Sequence, residues 1–171
     1  MDLERNNSME LSLPNLSATQ ELARCLAKKL RIGTVVTLHG PLGVGKTELV
    51  RGVMATLNPQ LISGVVCSPT FALENVYPLP AINFGGEVRK AQLLHWDLYR
   101  LAELSEDSEF GELARARESI VVVEWAERAP WLLDLADIRI QLRFSDDAGG
   151  EAREAELSGH SALGLEILTE F

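Results

Sequence analysis

An α/β fold, with helices on both sides of a mainly parallel central sheet and an antiparallel extension, is predicted by three features. Helical and extended patterns alternate along the chain. The run Ile120-Val121-Val122-Val123 is continuously apolar, as in a strand buried on both faces of a parallel sheet. A glycine-rich turn at residues 40–47 joins an apolar strand to a helix.

The elements follow in order. Residues 1–8 are polar and charged and are expected to fray; residues 9–13 alternate as a short strand. A helix begins at Ser17, which stands with Gln20 in capping-box spacing. Leu22, Ala23, Leu26, Ala27 and Leu30 recur behind it at helical intervals, and Gly33 closes the segment. Residues 34–38 are short, β-branched and bounded by glycines, which predicts a buried strand. Residues 48–57 form the next helix. Residues 65–77 are β-rich around Pro69, and residues 78–87 read as a loop from their Pro, Asn and Gly content. Residues 91–96 make another strand. Residues 105–116 form a helix capped by Ser105. Residues 120–123 are the central strand. Residues 138–144 alternate as an edge strand, 146–150 turn, and 154–158 pair back in a hairpin. Residues 162–171 fit either element.

At 171 residues the chain suits a single domain spanning 1–171. The net charge of -9 argues against autonomous nucleic-acid binding, which needs a basic face. Acidic residues gather at Glu103, Glu106, Asp107, Glu109 and Glu112, a solvated surface or a face for a basic partner. Cys25 and Cys67 are far apart, with no metal-ligand spacing, and are read as reduced thiols. Residues 1–8 carry no apolar export core, and no apolar run approaches the roughly 20 residues of a membrane helix. A cytoplasmic protein is expected.

Gly40-Pro41-Leu42-Gly43-Val44-Gly45-Lys46-Thr47 matches G-x-x-x-x-G-K-[ST] in full. Gly43 and Gly45 admit backbone conformations that a Cβ opposes, so successive N–H groups, those of Leu42 and Val44 included, turn inward around a phosphate. Lys46 reaches phosphate oxygens as a point charge, and Thr47 offers its hydroxyl to Mg²⁺. These features predict a nucleoside triphosphate and Mg²⁺ as ligands, in a three-layer sandwich of the P-loop NTPase kind. Glu124 ends the central strand and is the candidate second Mg²⁺ ligand. Trp125 follows it, placed to stack on a nucleotide. Ser68 and Thr70 offer hydroxyls to a γ-phosphate in a possible switch. In His95-Trp96-Asp97-Leu98-Tyr99-Arg100, Asp97 is the candidate to orient or activate the attacking water, or to hold Mg²⁺ through a water, and is with Lys46 the catalytic residue. His95 reads as a hydrogen-bonded strand-end residue.

In this order, the loop, Ser-Pro-Thr-Phe, His-Trp-Asp-Leu-Tyr-Arg-Leu and Val-Glu-Trp-Ala-Glu resemble the TsaE (YjeE) family of small bacterial ATPases, over about residues 13–143. The resemblance implies a weak ATPase stimulated by a TsaB–TsaD heterodimer, in the threonylcarbamoyl modification of adenosine 37 in tRNAs that read codons starting with A. It implies contact with tRNA only through that complex. It implies that Lys46 and Thr47 bind phosphates and Mg²⁺, that Glu124 is a Mg²⁺ ligand, and that Asp97 is needed for hydrolysis. Trp125 would lie against the nucleotide, Leu16 near the adenine, and Ser68 and Thr70 in a switch segment.

The chain departs from the family pattern at several places. Pro41 stands where an acid is usual, Glu48 where a second Thr is common, and Ala126 where Pro is usual. An Arg expected near position 150 is replaced by Gly149-Gly150-Glu151, with Arg153 the nearest downstream. Two other readings share the loop. A small-molecule kinase needs an Arg-rich lid, which the acidic segment after Arg100 does not supply. A nucleotide-binding switch does without a water-orienting acid, which Asp97 argues against.

Overall fold

The computed structural model describes residues 7–61, 66–69, 72–84, 87–145, 151–169 and 171. The elements are β1 (Ser8–Leu13), α1 (Leu16–Lys29), β2 (Val35–His39), α2 (Lys46–Leu57), β3 (Glu74–Phe84), β4 (Glu87–Asp97), α3 (Glu109–Ala116), β5 (Ile120–Glu124), a 3₁₀ turn (Ala126–Arg128), α4 (Pro130–Leu135), β6 (Ile138–Phe144), β7 (Arg153–Gly159) and α5 (Ala162–Thr169). The strands form one sheet in the order β1-β7-β6-β2-β5-β4-β3.

The four central strands β6, β2, β5 and β4 run parallel. The antiparallel extension lies on both flanks, β3 on β4 at one edge and β7 with β1 at the other. Successive residues of β5 face opposite cores, which explains its unbroken apolar run. Ile120 and Val122 pack with Leu22 and Leu26 of α1 and Leu49 and Val53 of α2. Val121 and Val123 pack with Ala114 of α3 and Leu132 of α4. β2, β4 and β5 therefore each lose apolar surface on both faces of the sheet, the largest favourable term in folding.

Several elements differ from the sequence reading. The first helix starts at Leu16, and Asn15 caps it by accepting from the Ala18 N–H at 3.0 Å. Asn15 takes an extended backbone that aims its short amide at the open turn. α2 begins at Lys46, directly after the left-handed Gly45. Residues 66–69 are irregular, and β3 starts only at Glu74. The loop expected at 78–87 is largely the hairpin of β3 and β4. Pro78 and Pro80 are tolerated because β3 is the sheet edge, where no further strand needs their missing N–H.

α3 starts at Glu109 behind Ser108. Ser105 instead shapes the preceding turn, its hydroxyl accepting from the Asp107 N–H at 3.2 Å. β6 is internal, between β2 and β7, and its alternation reflects an outer face that is only partly covered. The predicted hairpin partner is β7, and residues 162–169 are helical. Residues 146–150, predicted to turn, lie outside the described residues. Among the described residues no helix is long and apolar enough to cross a membrane.

Candidate functional site

β2 carries the chain from the buried centre of the sheet to Gly40, where the loop toward α2 begins. Gly40, Gly43 and Gly45 have φ of 134°, 79° and 114°. A Cβ on Gly40 would stand 2.4 Å from the carbonyl oxygen of Leu142, so β6 presses directly on the loop entry. At Gly43 and Gly45 nothing lies within 4 Å of such a Cβ, leaving an open cradle beside the backbone. Val44 is buried and anchors the loop in the core, while Leu42 is exposed. Lys46 is buried, and its Nζ donates to the carbonyls of Gly40 at 2.7 Å and Pro41 at 3.0 Å. Pro41 thus contributes a backbone acceptor. Arg153 sits behind the loop, its Nε donating to the Val44 carbonyl at 3.0 Å and its guanidinium 4.5 Å from the Phe144 ring centre.

Parallel register sets two acids beside the loop. Glu124 pairs with Leu38 of β2 on one side and with Asp97 of β4 on the other. Both carboxylates therefore emerge at the C-terminal ends of the strands, where open α/β sheets place ligands. Glu124 is buried, and its Oε1 accepts from the Thr47 hydroxyl at 2.8 Å and from His95 Nε2 at 2.9 Å. His95 is fully buried, its other ring nitrogen has no hydrogen-bond partner among the described residues, and its ring stacks on Tyr77. Asp97 is buried too; one oxygen accepts from the Ser68 hydroxyl and the other from the Tyr99 N–H at 3.0 Å.

Trp125 turns the chain sharply, with φ 61° and ψ 39°. Its ring centre lies 3.9 Å from Lys46 Nζ and 4.9 Å from the Tyr99 ring. A pocket of about 410 Å³ results, lined by Leu42, Gly43, Gly45, Lys46, Thr47, Glu48, Arg51, Ser68, Asp97, Tyr99, Glu124 and Trp125.

Burial holds the Lys46 ammonium below the ordinary lysine range, against the opposing pull of Glu124, Glu127 and Asp97. Glu127 is held below the ordinary glutamate range, chiefly by its hydrogen bond with His39, with Lys46 adding to it. His39 Nδ1 lies 3.3 Å from Glu127, and its Nε2 lies 3.0 Å from the Thr37 hydroxyl. The site thus sets the Lys46 ammonium among carboxylates, beside the open backbone cradle at Gly43 and Gly45, with the Arg51 guanidinium also in the pocket lining. Among the described residues no cluster of three or more His, Cys, Asp or Glu is arranged to hold a metal. The adjacent oxygens of Thr47 and Glu124 are hard donors of the kind Mg²⁺ takes while keeping most of its water.

Of the residues singled out from sequence, Leu42, Gly43, Gly45, Lys46, Thr47, Ser68, Asp97, Glu124 and Trp125 line this one pocket. Val44 turns its side chain into the core instead. Leu16 stands exposed at the first turn of α1, outside the pocket lining. Thr70 lies outside the described residues. Sequence reasoning missed Tyr99, Glu48 and Arg51 as lining residues and the His39–Glu127 contact. For Arg51 a signal existed: it falls one helical turn after Thr47.

Residues 13–155 match the family described as Threonylcarbamoyl adenosine biosynthesis protein TsaE. A protein of Synechocystis sp., named tRNA threonylcarbamoyladenosine biosynthesis protein TsaE, is 40% identical over 130 residues, 74% of this chain and 75% of that one. A protein of the same name from Streptomyces coelicolor is 36% identical over 146 residues, 85% of this chain and 90% of its own. Among solved structures, YdiB of Bacillus subtilis superposes with a TM-score of 0.68 over 95% of this chain and 93% of that one. At 20% identity that likeness concerns the fold alone.

Proposed function

The chain belongs to the TsaE family of tRNA threonylcarbamoyladenosine biosynthesis, and from that premise we propose that it is a Mg²⁺-dependent P-loop ATPase. In this reading it serves the modification of adenosine 37 in tRNAs that read codons starting with A. It acts in the cytoplasm on a TsaB–TsaD heterodimer and meets tRNA only through that complex. The observation that carries the reading is the convergence of Lys46, Thr47, Asp97 and Glu124, from three separate elements, on one pocket.

The loop N–H groups around Gly43 and Gly45, with the N-terminus of α2, would receive the phosphates. Lys46 already spans the loop entry through the carbonyls of Gly40 and Pro41, so its ammonium needs no large rearrangement to meet phosphate oxygens. Thr47 and Glu124 would hold Mg²⁺, which neutralises charge on the transferring phosphoryl group. Asp97 would orient the attacking water and accept its proton, with Ser68 and the Tyr99 N–H fixing its carboxylate. Trp125 would close the pocket over the nucleotide.

The test is Mg·ATP turnover by the purified chain, alone and with TsaB–TsaD and tRNA. Slow turnover that rises with the partners supports the reading, and fast partner-independent turnover counts against it. Asp97→Asn should keep ATP affinity and lose about 10²-fold or more in turnover. Unchanged ATP affinity in Lys46→Ala would remove the basis of the phosphate site.

A further inference from the structure

Arg51 is the one guanidinium among the residues lining the pocket, and it is held by a neighbour the pocket also contains. It sits on α2 one turn after Thr47, and helical side chains lean toward the N-terminus, here toward the loop. Its Nη1 pairs with the carboxylate of Glu48, three residues earlier. Its Nε donates to the Val66 carbonyl at 3.3 Å. Val66 is buried and stands two residues before Ser68, whose hydroxyl binds Asp97. The guanidinium thus bridges the helix behind the phosphate loop and the segment that carries Ser68. It remains 38% exposed, with room to change partner.

We infer that Arg51 is the residue by which this site distinguishes a nucleoside triphosphate from a diphosphate, with the Glu48 carboxylate holding the guanidinium until a γ-phosphate takes its place. The inference rests on the proposed nucleotide site. A carboxylate and a phosphate present similar paired acceptors to a guanidinium, and the phosphate carries more charge. A diphosphate lacks the terminal group that would displace Glu48, so the ion pair survives its binding. A triphosphate supplies that group, and the freed arginine then binds an anion that the diphosphate does not have. Glu48 competes for Arg51 and adds negative charge near the phosphates, so it opposes triphosphate binding on both counts.

The two ligands are measured separately, with Mg²⁺, as fluorescent ADP and a fluorescent non-hydrolysable ATP analogue. In Arg51→Gln the triphosphate affinity should fall about tenfold while diphosphate affinity stays within about twofold, the size expected for one lost charge-assisted contact. Arg51→Lys, which keeps the charge and guards against a merely misfolded variant, should retain part of the preference. Glu48→Gln should tighten the triphosphate several-fold and the diphosphate less, because the lost charge repels both but only the triphosphate competes with Glu48 for Arg51. Equal loss of both ligands in Arg51→Gln, or no change in their ratio, overturns the inference while leaving the nucleotide site standing. Failure of the unaltered chain to bind either ligand overturns both.

Discussion

His95 Nε2 lies 2.9 Å from Glu124 Oε1, the same oxygen that accepts the Thr47 hydroxyl at 2.8 Å. Two donors from different elements converge on one carboxylate oxygen and fix its rotamer. His95 is fully buried, so its hydrogen bond is shielded from competing water. Removing the imidazole donor should leave Glu124 free to swing. His95→Phe is therefore expected to raise the Mg²⁺ concentration for half-maximal nucleotide binding by about tenfold, as losses around metal ligands do. His95→Gln, which retains an N–H donor, should recover part of that loss. A Mg²⁺ titration at fixed nucleotide reads both, and an unchanged midpoint in His95→Phe would show that Thr47 alone orients the carboxylate.

Gly40 and Gly43 predict different consequences from the same substitution. Both have positive φ, but only at Gly40 does a Cβ meet backbone, the Leu142 carbonyl oxygen at 2.4 Å. Gly40→Ala must displace β6 or the loop, and is expected to cost about 3 kcal/mol or more of stability. Gly43→Ala meets open space and should cost about 1 kcal/mol, the strain of its backbone conformation. Its larger effect should be on nucleotide affinity, because the added methyl enters the cradle. Urea unfolding separates the two, and similar midpoints for both variants would contradict the packing described at Gly40.

Much of the site was legible because its parts are locally encoded. The loop signals itself through Gly43, Gly45, Lys46 and Thr47, and Glu124 through its place after an apolar run. The His95–Glu124 bond was not legible, because it depends on which residues of β4 and β5 stand side by side, a matter of register across 29 residues. The β3–β4 hairpin was obscured by Pro78 and Pro80, which argue against a strand unless its edge position is known. The internal place of β6 was hidden for the opposite reason. Its polar alternation reflects helices that do not fully cover it, rather than a missing neighbour.

Asp137 is a buried carboxylate far from the pocket and should be tested for stability alone. It accepts from the Val35 N–H at 2.9 Å, from Arg117 Nη1 at 2.5 Å and from the Ser161 hydroxyl at 2.5 Å. These contacts join the start of β2, the segment before β5 and the approach to α5. Asp137→Ala leaves the buried Val35 N–H without its acceptor and removes the counter-charge of Arg117, which keeps the Gly33 and Leu135 carbonyls, and should cost about 3 kcal/mol. Asn at this position keeps one acceptor and should cost less. Chemical denaturation measures the loss. Nucleotide affinity under native conditions should be unaffected, and a matched loss of affinity would show that the sheet base and the loop are coupled.

The depressed Lys46 ammonium makes a prediction about pH. Burial is the main cause, so the folded protein without nucleotide releases this proton more readily than the unfolded chain does. Between the lowered folded value and the ordinary lysine value the unfolded state binds more protons. Stability from this group therefore rises with pH across that alkaline window and is flat below it. Nucleotide binding has the opposite sign, because phosphate oxygens favour the charged ammonium. Affinity should be level near neutral pH and fall once pH passes the lowered value, before an exposed lysine would titrate. In Lys46→Arg, a cation that does not titrate in this range, the alkaline fall should shrink. Binding isotherms from pH 7 to 10 decide it, and an identical pH profile in Lys46→Arg would assign the titration to another group.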